Sequence, residues 1–367
     1  MTTKEKVLQL LVDSHVQSVS GETLAAECGV SRAAIWKAVN ALRTEGHKIE
    51  GTTNGGYIIE DDDVFSPEIF TRTFSSLFPD FADCHIECFK QIDSTNTHAK
   101  RLLAECGNLR AADGSLTEAG KKFHRAIFIA ESQTAGRGRI GRTFVSPEKA
   151  GIYFSIIYAP EGGIKEPARL TACTAVAVCR ALKKLYGSFS INPKIKWIND
   201  IFLGGKKICG IGTEGITNFE SGQIESAIIG IGINLRKNPE LTGTELEKIV
   251  GSIEEAFDRK PDSPASLPLL NRCELAAEIC GQVLRILKED SQSTATHKAI
   301  MQEYRDASIL LGREITVFPL IGDDKSSYKA TATSIDDNAA LTVTLPDGTT
   351  RALNSGEVSL KSSSLTS

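Results

Sequence analysis

Between an apolar run at residues 126–130 and Phe144 lies Gly136-Arg137-Gly138-Arg139-Ile140-Gly141-Arg142, in which three glycines alternate with three arginines. No other segment restricts the fold as much. An apolar strand has to deliver a loop that is both mobile and permanently charged. Glycine lets backbone N–H groups approach a ligand and lets the loop change shape. Arginine grips carboxylate or phosphate in fork geometry. No Gly-Lys-Ser/Thr follows, so this is not a Walker A loop. The glycines do not open a helix, so it is not a dinucleotide fingerprint either. Taken alone, the segment suits closure over an anion, an exposed flexible turn, or an RG-rich RNA contact.

Three further segments carry chemistry. Residues 194–211 read as a strand ending in Asn199-Asp200, a turn at Gly204-Gly205, and a return through Lys206 and Lys207 to Gly210. Strand alternation puts Lys207 and Cys209 on one face and Lys206 and Ile208 on the other. One lysine then points inward, where an anionic ligand removes the cost of burying it; two surface lysines at a hairpin are the ordinary alternative. Asp93-Ser94-Thr95-Asn96 precedes a helical stretch, which is a capping signature and also a cluster of hydrogen-bonding groups at a helix N-terminus. Gly230-Ile231-Gly232-Ile233-Asn234 is a strand whose glycines permit close approach, for packing or for a ligand.

The first sixty residues form a separate unit. An amphipathic helix starts at Lys4. A short helix opens at Ser20 or Gly21, Gly29-Val30 turns, and Ser31 caps a third helix over residues 32–43. A hairpin with the turn Asn54-Gly55-Gly56 follows. Helix, helix, turn, helix and hairpin describe a winged helix-turn-helix. The chain as a whole has 42 basic and 46 acidic residues, a net charge of −4, so any nucleic-acid contact has to be local. The third helix and its end supply one: Arg32, Lys37, Arg43 and Lys48 oppose only Glu45. Ser31, Arg32, Trp36 and Lys37 are the candidate DNA-binding residues; a module that only dimerises or packs is the alternative.

Glu60-Asp61-Asp62-Asp63 reads as a linker. Residues 64–311 then read as α/β, with strands expected at 126–130, 151–158, 194–197, 201–203, 207–210 and 224–234 and helices at 167–186, 268–288 and 295–305. Residues 107–124 read as a polar insertion without a usable pattern, and residues 259–264 as a loop. From residue 312 short strands alternate with turns, one of them Gly322-Asp323-Asp324, as in a small β-barrel. The last six residues read as a frayed tail. The expected domains are therefore 1–63, 64–311 and 312–367. No apolar run approaches the ~20 residues that cross a bilayer, and residues 1–7 lack a signal-peptide pattern. The nine cysteines include no CxxC pair and no Cys/His set at zinc spacing, so reduced core thiols, no metal ligands and a cytoplasmic location are expected.

In order and spacing these segments resemble the biotin protein ligases and, with the N-terminal module, the bifunctional ligase–repressors of bacteria. The resemblance rests on Gly136–Arg142, on Lys196-Trp197-Ile198-Asn199-Asp200, and on Lys207 followed by Gly210-Ile211. It spans nearly the whole chain. It implies a multidomain α/β protein: a winged helix-turn-helix, a central class II synthetase-like mixed sheet, and a small SH3-like C-terminal barrel. It also implies ATP, biotin and Mg²⁺, a biotin carboxyl carrier protein (an acetyl-CoA carboxylase subunit or similar) as partner, operator DNA, and a homodimer promoted by ligand. By the same resemblance Ser94, Thr95, Asn96 and Gln133 hold the ring end of biotin. Arg137, Gly138 and Arg139 close over the ligand, Lys207 meets the carboxylate and α-phosphate, and Gly210 lies against the rings. Asn199, Asp200 and Asn234 fall on the nucleotide side, and Arg137, Arg139 and Lys207 are the catalytic set. The departures are Ile198 for proline, Phe144 for tryptophan, the uncharged Ile140, and the insertion at 107–124. Two other readings stand beside this one: a regulator that senses a ligand without catalysis, and a lipoate or other acyl ligase of the same fold; a third, a fragment-like relative of class II tRNA synthetases, stands below them because no tRNA-binding basic domain is evident.

Overall fold

A computed structural model describes residues 2–14, 17–52, 55–59, 65–111, 113–138, 141–218, 222–258, 272–319 and 326–360. The linker at 60–63, the loop at 259–264, Asn54, Arg139, Ile140, the turn at 322–324 and the tail at 362–367 lie outside the described residues. The chain forms two compact units, residues 1–82 with 269–278, and residues 83–268 with 279–367.

The first unit opens with α1 (Thr3–Asp13), α2 (Gly21–Cys28) and α3 (Arg32–Thr44), followed by the antiparallel hairpin β1 (Ile49–Thr52) and β2 (Gly56–Ile59). Sequence-local chemistry sets the boundaries. Thr2 and Glu5 form a capping box on α1, and Ser20 and Ser31 cap α2 and α3. Gly29 ends α2 at φ 68°, in the left-handed region that favours glycine. Val7, Leu11, Leu24, Ile35, Val39 and Leu42 meet Ile49 and Ile59 in one core. α4 (Pro67–Leu77) adds a stacked run of Phe65, Phe70, Phe74 and Phe78.

The second unit is built on a seven-stranded sheet. Its strands are β3 (Ile86–Ile92), β4 (Ile127–Gln133), β5 (Gly151–Tyr158), β6 (Lys194–Lys196), β7 (Asp200–Leu203), β8 (Lys206–Thr217) and β9 (Ile224–Asn234), in the order β3-β4-β5-β9-β8-β7-β6. Only β3 and β4 are parallel, so the sheet is mixed. β5 is buried along nearly its whole length, as its unbroken apolar run requires. The helices α5 (Thr95–Cys106), α7 (Pro167–Tyr186) and α10 (Thr294–Ala307) pack on it, and α9 (Arg272–Gln292) is divided between the two units. A short α8 (Ile253–Asp258) follows the sheet. Among the described residues no helix is long and apolar enough to cross a membrane.

The insertion at 107–124 has structure. Arg110 and Leu116 form a bridge, α6 (Glu118–Phe123) follows, and Leu109 and Phe123 join a core with Ala126, Phe128 and Ile157. His124 accepts the Ala159 N–H at its Nδ1, 3.1 Å away. Burial, then the charges of Arg125 and Arg110, lower its pKa to about 4. The unfolded imidazole takes its proton near pH 6.5. The stability held by the neutral ring is therefore fully present above about pH 6.5 and is lost as pH falls toward 4. His124→Asn is expected to flatten that acid limb of a plot of Tm against pH; an unchanged slope between pH 6.5 and 4.5 would contradict it.

The C-terminal strands differ from expectation in closure. β10 (Glu314–Phe318), β11 (Tyr328–Ile335), β12 (Leu341–Thr344), β13 (Thr350–Leu353) and β14 (Glu357–Ser359) pair antiparallel in the order β13-β12-β11-β10-β14. The edge strands β13 and β14 do not pair with each other. The expected barrel is thus an open five-stranded sheet among the described residues. All nine cysteines are free; Cys173, Cys179, Cys209, Cys273 and Cys280 are buried, whereas Cys28, Cys84, Cys88 and Cys106 are only partly so, and burial raises the thiol pKa of Cys179 to about 12.

Candidate active site

α5 begins where β3 ends, so its first turn faces the sheet. Ser94 caps the helix, and the Thr95 N–H donates to Gln133 Oε1 at 2.9 Å, tying that turn to β4. Gln133 Nε2 in turn donates to Ser146 Oγ at 2.9 Å. After β4 the arginine-rich segment folds back on itself: Gln133 bridges Ser146, Arg137 bridges Thr143, and the Gly138 N–H donates to Arg142 O at 2.7 Å. The loop's root is thereby fixed beside α5, and the exposed Arg137 lines the first cleft. A Cβ at Gly136 would sit 2.3 Å from Phe144 O, so this fold-back requires glycine.

Lys207 does not share a face with Cys209 as simple alternation predicts. Ile201 pairs Cys209 but Phe202 pairs Lys207, so the ladder shifts register and Ile208 is extra. A bulge of this kind re-aims a side chain next to a site. Lys207 consequently lies against Gly210, whose Cβ, if present, would be 3.4 Å from Lys207 Nζ, while Cys209 is buried. The Lys207 ammonium is 2.7 Å from Asp200 Oδ1. Lys206 instead donates to Glu247 O at 2.9 Å.

Two adjoining clefts result. Ser94, Thr95, Asn96, Gln133, Arg137, Gly138, Asn199, Lys207 and Gly210 line the first, of about 60 Å³. Gly138, Asn199, Lys207 and Phe144 continue into the second, of about 330 Å³, where Asp200 and Asn234 also lie. Every expected site residue of this domain that is described therefore meets one connected cavity; Arg139 lies outside the described residues. Asn199 donates its Nδ2 to Ile211 O at 2.9 Å and so stays in the wall. Trp197 is fixed by a bond from its Nε1 to Ala339 O at 2.7 Å.

Further groups line the clefts; close approach at Gly230 and Gly232 was expected, whereas the apolar residues of the second cleft were not. Phe144 borders both clefts and fills the space left at Gly232, where a Cβ would be 2.5 Å from its ring. Gly230 plays the same part for Asn96, 2.3 Å from a notional Cβ. Leu241, Leu246, Ile249 and Val358 complete the apolar side of the second cleft. Ser155, the one hydroxyl inside the apolar β5 apart from its tyrosines, was the visible signal for a further polar contact; it reaches Thr95 and Asn96.

One group of potential metal ligands occurs among the described residues: atoms of Cys173, Asp290 and His297 within 4.8 Å of one another. Arg169 already holds Asp290 at 2.7 Å, so the carboxylate there is neutralised by a guanidinium.

In the first unit α3 buries Ile35, Ala38, Val39 and Leu42 and leaves Arg32, Trp36 and Lys37 exposed on one face, Trp36 by 58%. Arg43 is not part of that face, because its Nε donates to Ile49 O at 2.8 Å and ties the helix to the hairpin.

A mixed sheet thus carries two adjoining clefts that share Gly138, Phe144, Asn199 and Lys207. Residues 89–234 match the family model described as the Biotin/lipoate A/B protein ligase family, and residues 3–58 match that of the HTH domain. The chain is 31% identical over 262 residues to the bifunctional ligase/repressor BirA of Bacillus subtilis (strain 168), covering 71% of this chain and 74% of that protein. It is 30% identical to the protein of the same name from Escherichia coli (strain K12) over 64% of each chain. The chain belongs to the family of bifunctional biotin ligase/repressors. Its fold matches the biotin protein ligase from Aquifex aeolicus solved with biotin and ATP, at a TM-score of 0.55 and 22% identity over 76% of this chain and 98% of that one.

Proposed function

We propose that this chain is an ATP-dependent biotin protein ligase that activates biotin to biotinyl-5′-AMP and passes the biotinyl group to a lysine of a biotin carboxyl carrier protein. The observation that carries this reading is the convergence of Ser94–Asn96, Gln133, Arg137 and Lys207 on one cleft that opens, past Lys207 and Phe144, into a second. The hydrogen-bonding groups of the first cleft suit the ring end of a vitamin acid and the larger second suits a nucleotide, with their reacting groups meeting at the ammonium. The division into segments 1–63, 64–311 and 312–367 is part of the same reading, with the cytoplasm as the place of work.

The carboxylate oxygen attacks the α-phosphorus of ATP, and pyrophosphate leaves with the electrons of the broken P–O bond. The carrier amine then attacks the acyl carbon, and AMP leaves. The first step presses one anion on another, a repulsion of about 4 kcal/mol at 4 Å and an effective dielectric of 20. Lys207, Arg137 and Arg139 oppose it with fixed positive charge, and positioning supplies much of the rest. No side-chain nucleophile is needed. Closure of the arginine loop keeps water from the mixed anhydride. Among the described residues Asp200 is the one carboxylate on the second cleft, beside Asn199 and Asn234. That hard-oxygen set, with substrate phosphates, fits Mg²⁺. The ion would neutralise the triphosphate there.

Incubation with biotin, ATP and a carrier domain tests the reading: biotin on the carrier supports it, while lipoate transfer or no transfer favours the other two readings. The N-terminal unit makes the chain a repressor whose α3 enters the major groove, as a homodimer promoted by the adenylate. Lys37→Ala is expected to weaken binding to operator and unrelated duplex alike, and to lower the slope of log K against log salt by about 1. Fluorescence anisotropy across a salt series measures this; an unchanged slope would place Lys37 off the DNA.

A further inference from the structure

At the end of the first cleft the direction of each hydrogen bond follows from chemistry. A carboxylate only accepts. Glu214 Oε1 faces Asn96 Nδ2 at 2.9 Å, and its other oxygen pairs with the Lys100 ammonium. Burial pushes the pKa of Glu214 up, but the bonds from Lys100 and Asn96 and the charge of Arg137 outweigh it and hold the carboxyl below its usual range. It is therefore ionised at neutral pH. With Nδ2 turned to Glu214, Asn96 Oδ1 faces Ser155 Oγ at 2.5 Å. That oxygen has no proton, so the Ser155 hydroxyl donates to it. Ser155 Oγ is also 2.7 Å from Thr95 Oγ1, and its only proton is committed. The Thr95 hydroxyl therefore donates to Ser155. Gln133 Oε1 competes poorly for that proton, at 3.3 Å, and already takes the Thr95 N–H. Thr95 lines the cleft, and its Oγ1 is left with lone pairs alone.

We propose that Glu214, which does not line the cleft, is a positioning residue: it sets the direction of the chain Thr95→Ser155→Asn96→Glu214, so that the blind end accepts only a ligand donating an N–H to Thr95. The proposal rests on the biotin reading and deepens it. The cyclic urea of biotin offers two N–H groups, whereas the dithiolane of lipoate offers none. Glutamine at position 214 can donate as well as accept, so it permits the whole chain to reverse and Thr95 to point its proton into the cleft.

The test uses the full-length chain, biotin, and the two cyclic carbamates in which oxygen replaces one ring N–H or the other. Adenylation is followed by pyrophosphate release. Wild type is expected to reject one carbamate by at least roughly 100-fold in kcat/KM relative to biotin. E214Q is expected to shrink that ratio at least about tenfold, raising KM for biotin while kcat and KM for ATP stay near wild type. S155A cuts the same chain one link further on and is expected to lose the discrimination too, which keeps the test alive if E214Q folds poorly. A variant that loses activity on all three ligands by one common factor, or keeps the wild-type ratio, overturns the proposal. Wild type forming no adenylate from biotin overturns the ligase reading beneath it.

Discussion

Lys207→Ala lowers kcat/KM for biotin-dependent pyrophosphate release by roughly 10²–10³-fold, the scale on which one preorganised charge acts at a developing anion. The expectation follows from where the ammonium sits. It lines both clefts, and a register shift in β8 places it there. Asp200 holds it at 2.7 Å, so it arrives oriented rather than as a solvated tether. A ligand carboxylate and an α-phosphate brought together at that point share the charge, and alanine leaves their repulsion unopposed. Biotin binding itself is expected to fall much less, because Ser94, Thr95, Asn96 and Gln133 remain. Single-turnover kinetics at saturating biotin and ATP separate the two effects. Full adenylation activity in the variant would make Lys207 a structural lysine of the hairpin.

Asp290→Ala is expected to cost about 3 kcal/mol, which lowers Tm by about 6–12 °C for a domain of this size. Asp290 Oδ2 takes Arg169 Nε at 2.9 Å and its Oδ1 meets His297 Nδ1 at 2.6 Å. His297 Nε2 reaches Asp337 O at 2.7 Å. One carboxylate thus joins α7, α9, α10 and the turn before β12. Its side chain is 16% exposed and that of Arg169 is 31% exposed, so solvent screens the pair only in part. Removing the acid leaves the Arg169 guanidinium without its counter-charge and His297 Nδ1 without its partner, which is where the large penalty of a broken buried pair arises. The side chains lie away from both clefts, so KM for biotin and ATP should be unchanged. Calorimetry gives the first quantity and steady-state kinetics the second; a Tm within 2 °C of wild type, expected only below about 1 kcal/mol, would contradict the account.

Local signals in the sequence were enough for elements with sharp chemical edges. Pro167 opens α7, and Gly151 and Asn234 face each other at one end of the β5–β9 pair, so those spans are met as expected. β3 escaped because Ile86–Ile92 is half-exposed along its length and alternates poorly. Residues 107–124 escaped because their apolar anchors, Leu109 and Phe123, are too far apart for any helix or strand period. At the site, residue types were legible and orientations were not. The face of Lys207 depends on a bulge decided by pairing with β7, and Arg43 looked basic and free although the backbone of β1 claims it. The bond from Asn96 to Glu214 crosses 118 residues and leaves no local trace. The closure of the C-terminal strands was likewise a matter of tertiary pairing, which turn chemistry does not determine.

The most direct test of the ligand arrangement is a crystal structure of the chain with biotinyl-5′-AMP. The account predicts the ring end against Ser94, Thr95 and Gln133, the adenosine in the cleft bordered by Phe144 and Trp197, and the Lys207 ammonium within hydrogen-bond reach of the bridging phosphate. An adenylate bound elsewhere, with Lys207 still held by Asp200 and turned from the phosphate, would contradict it.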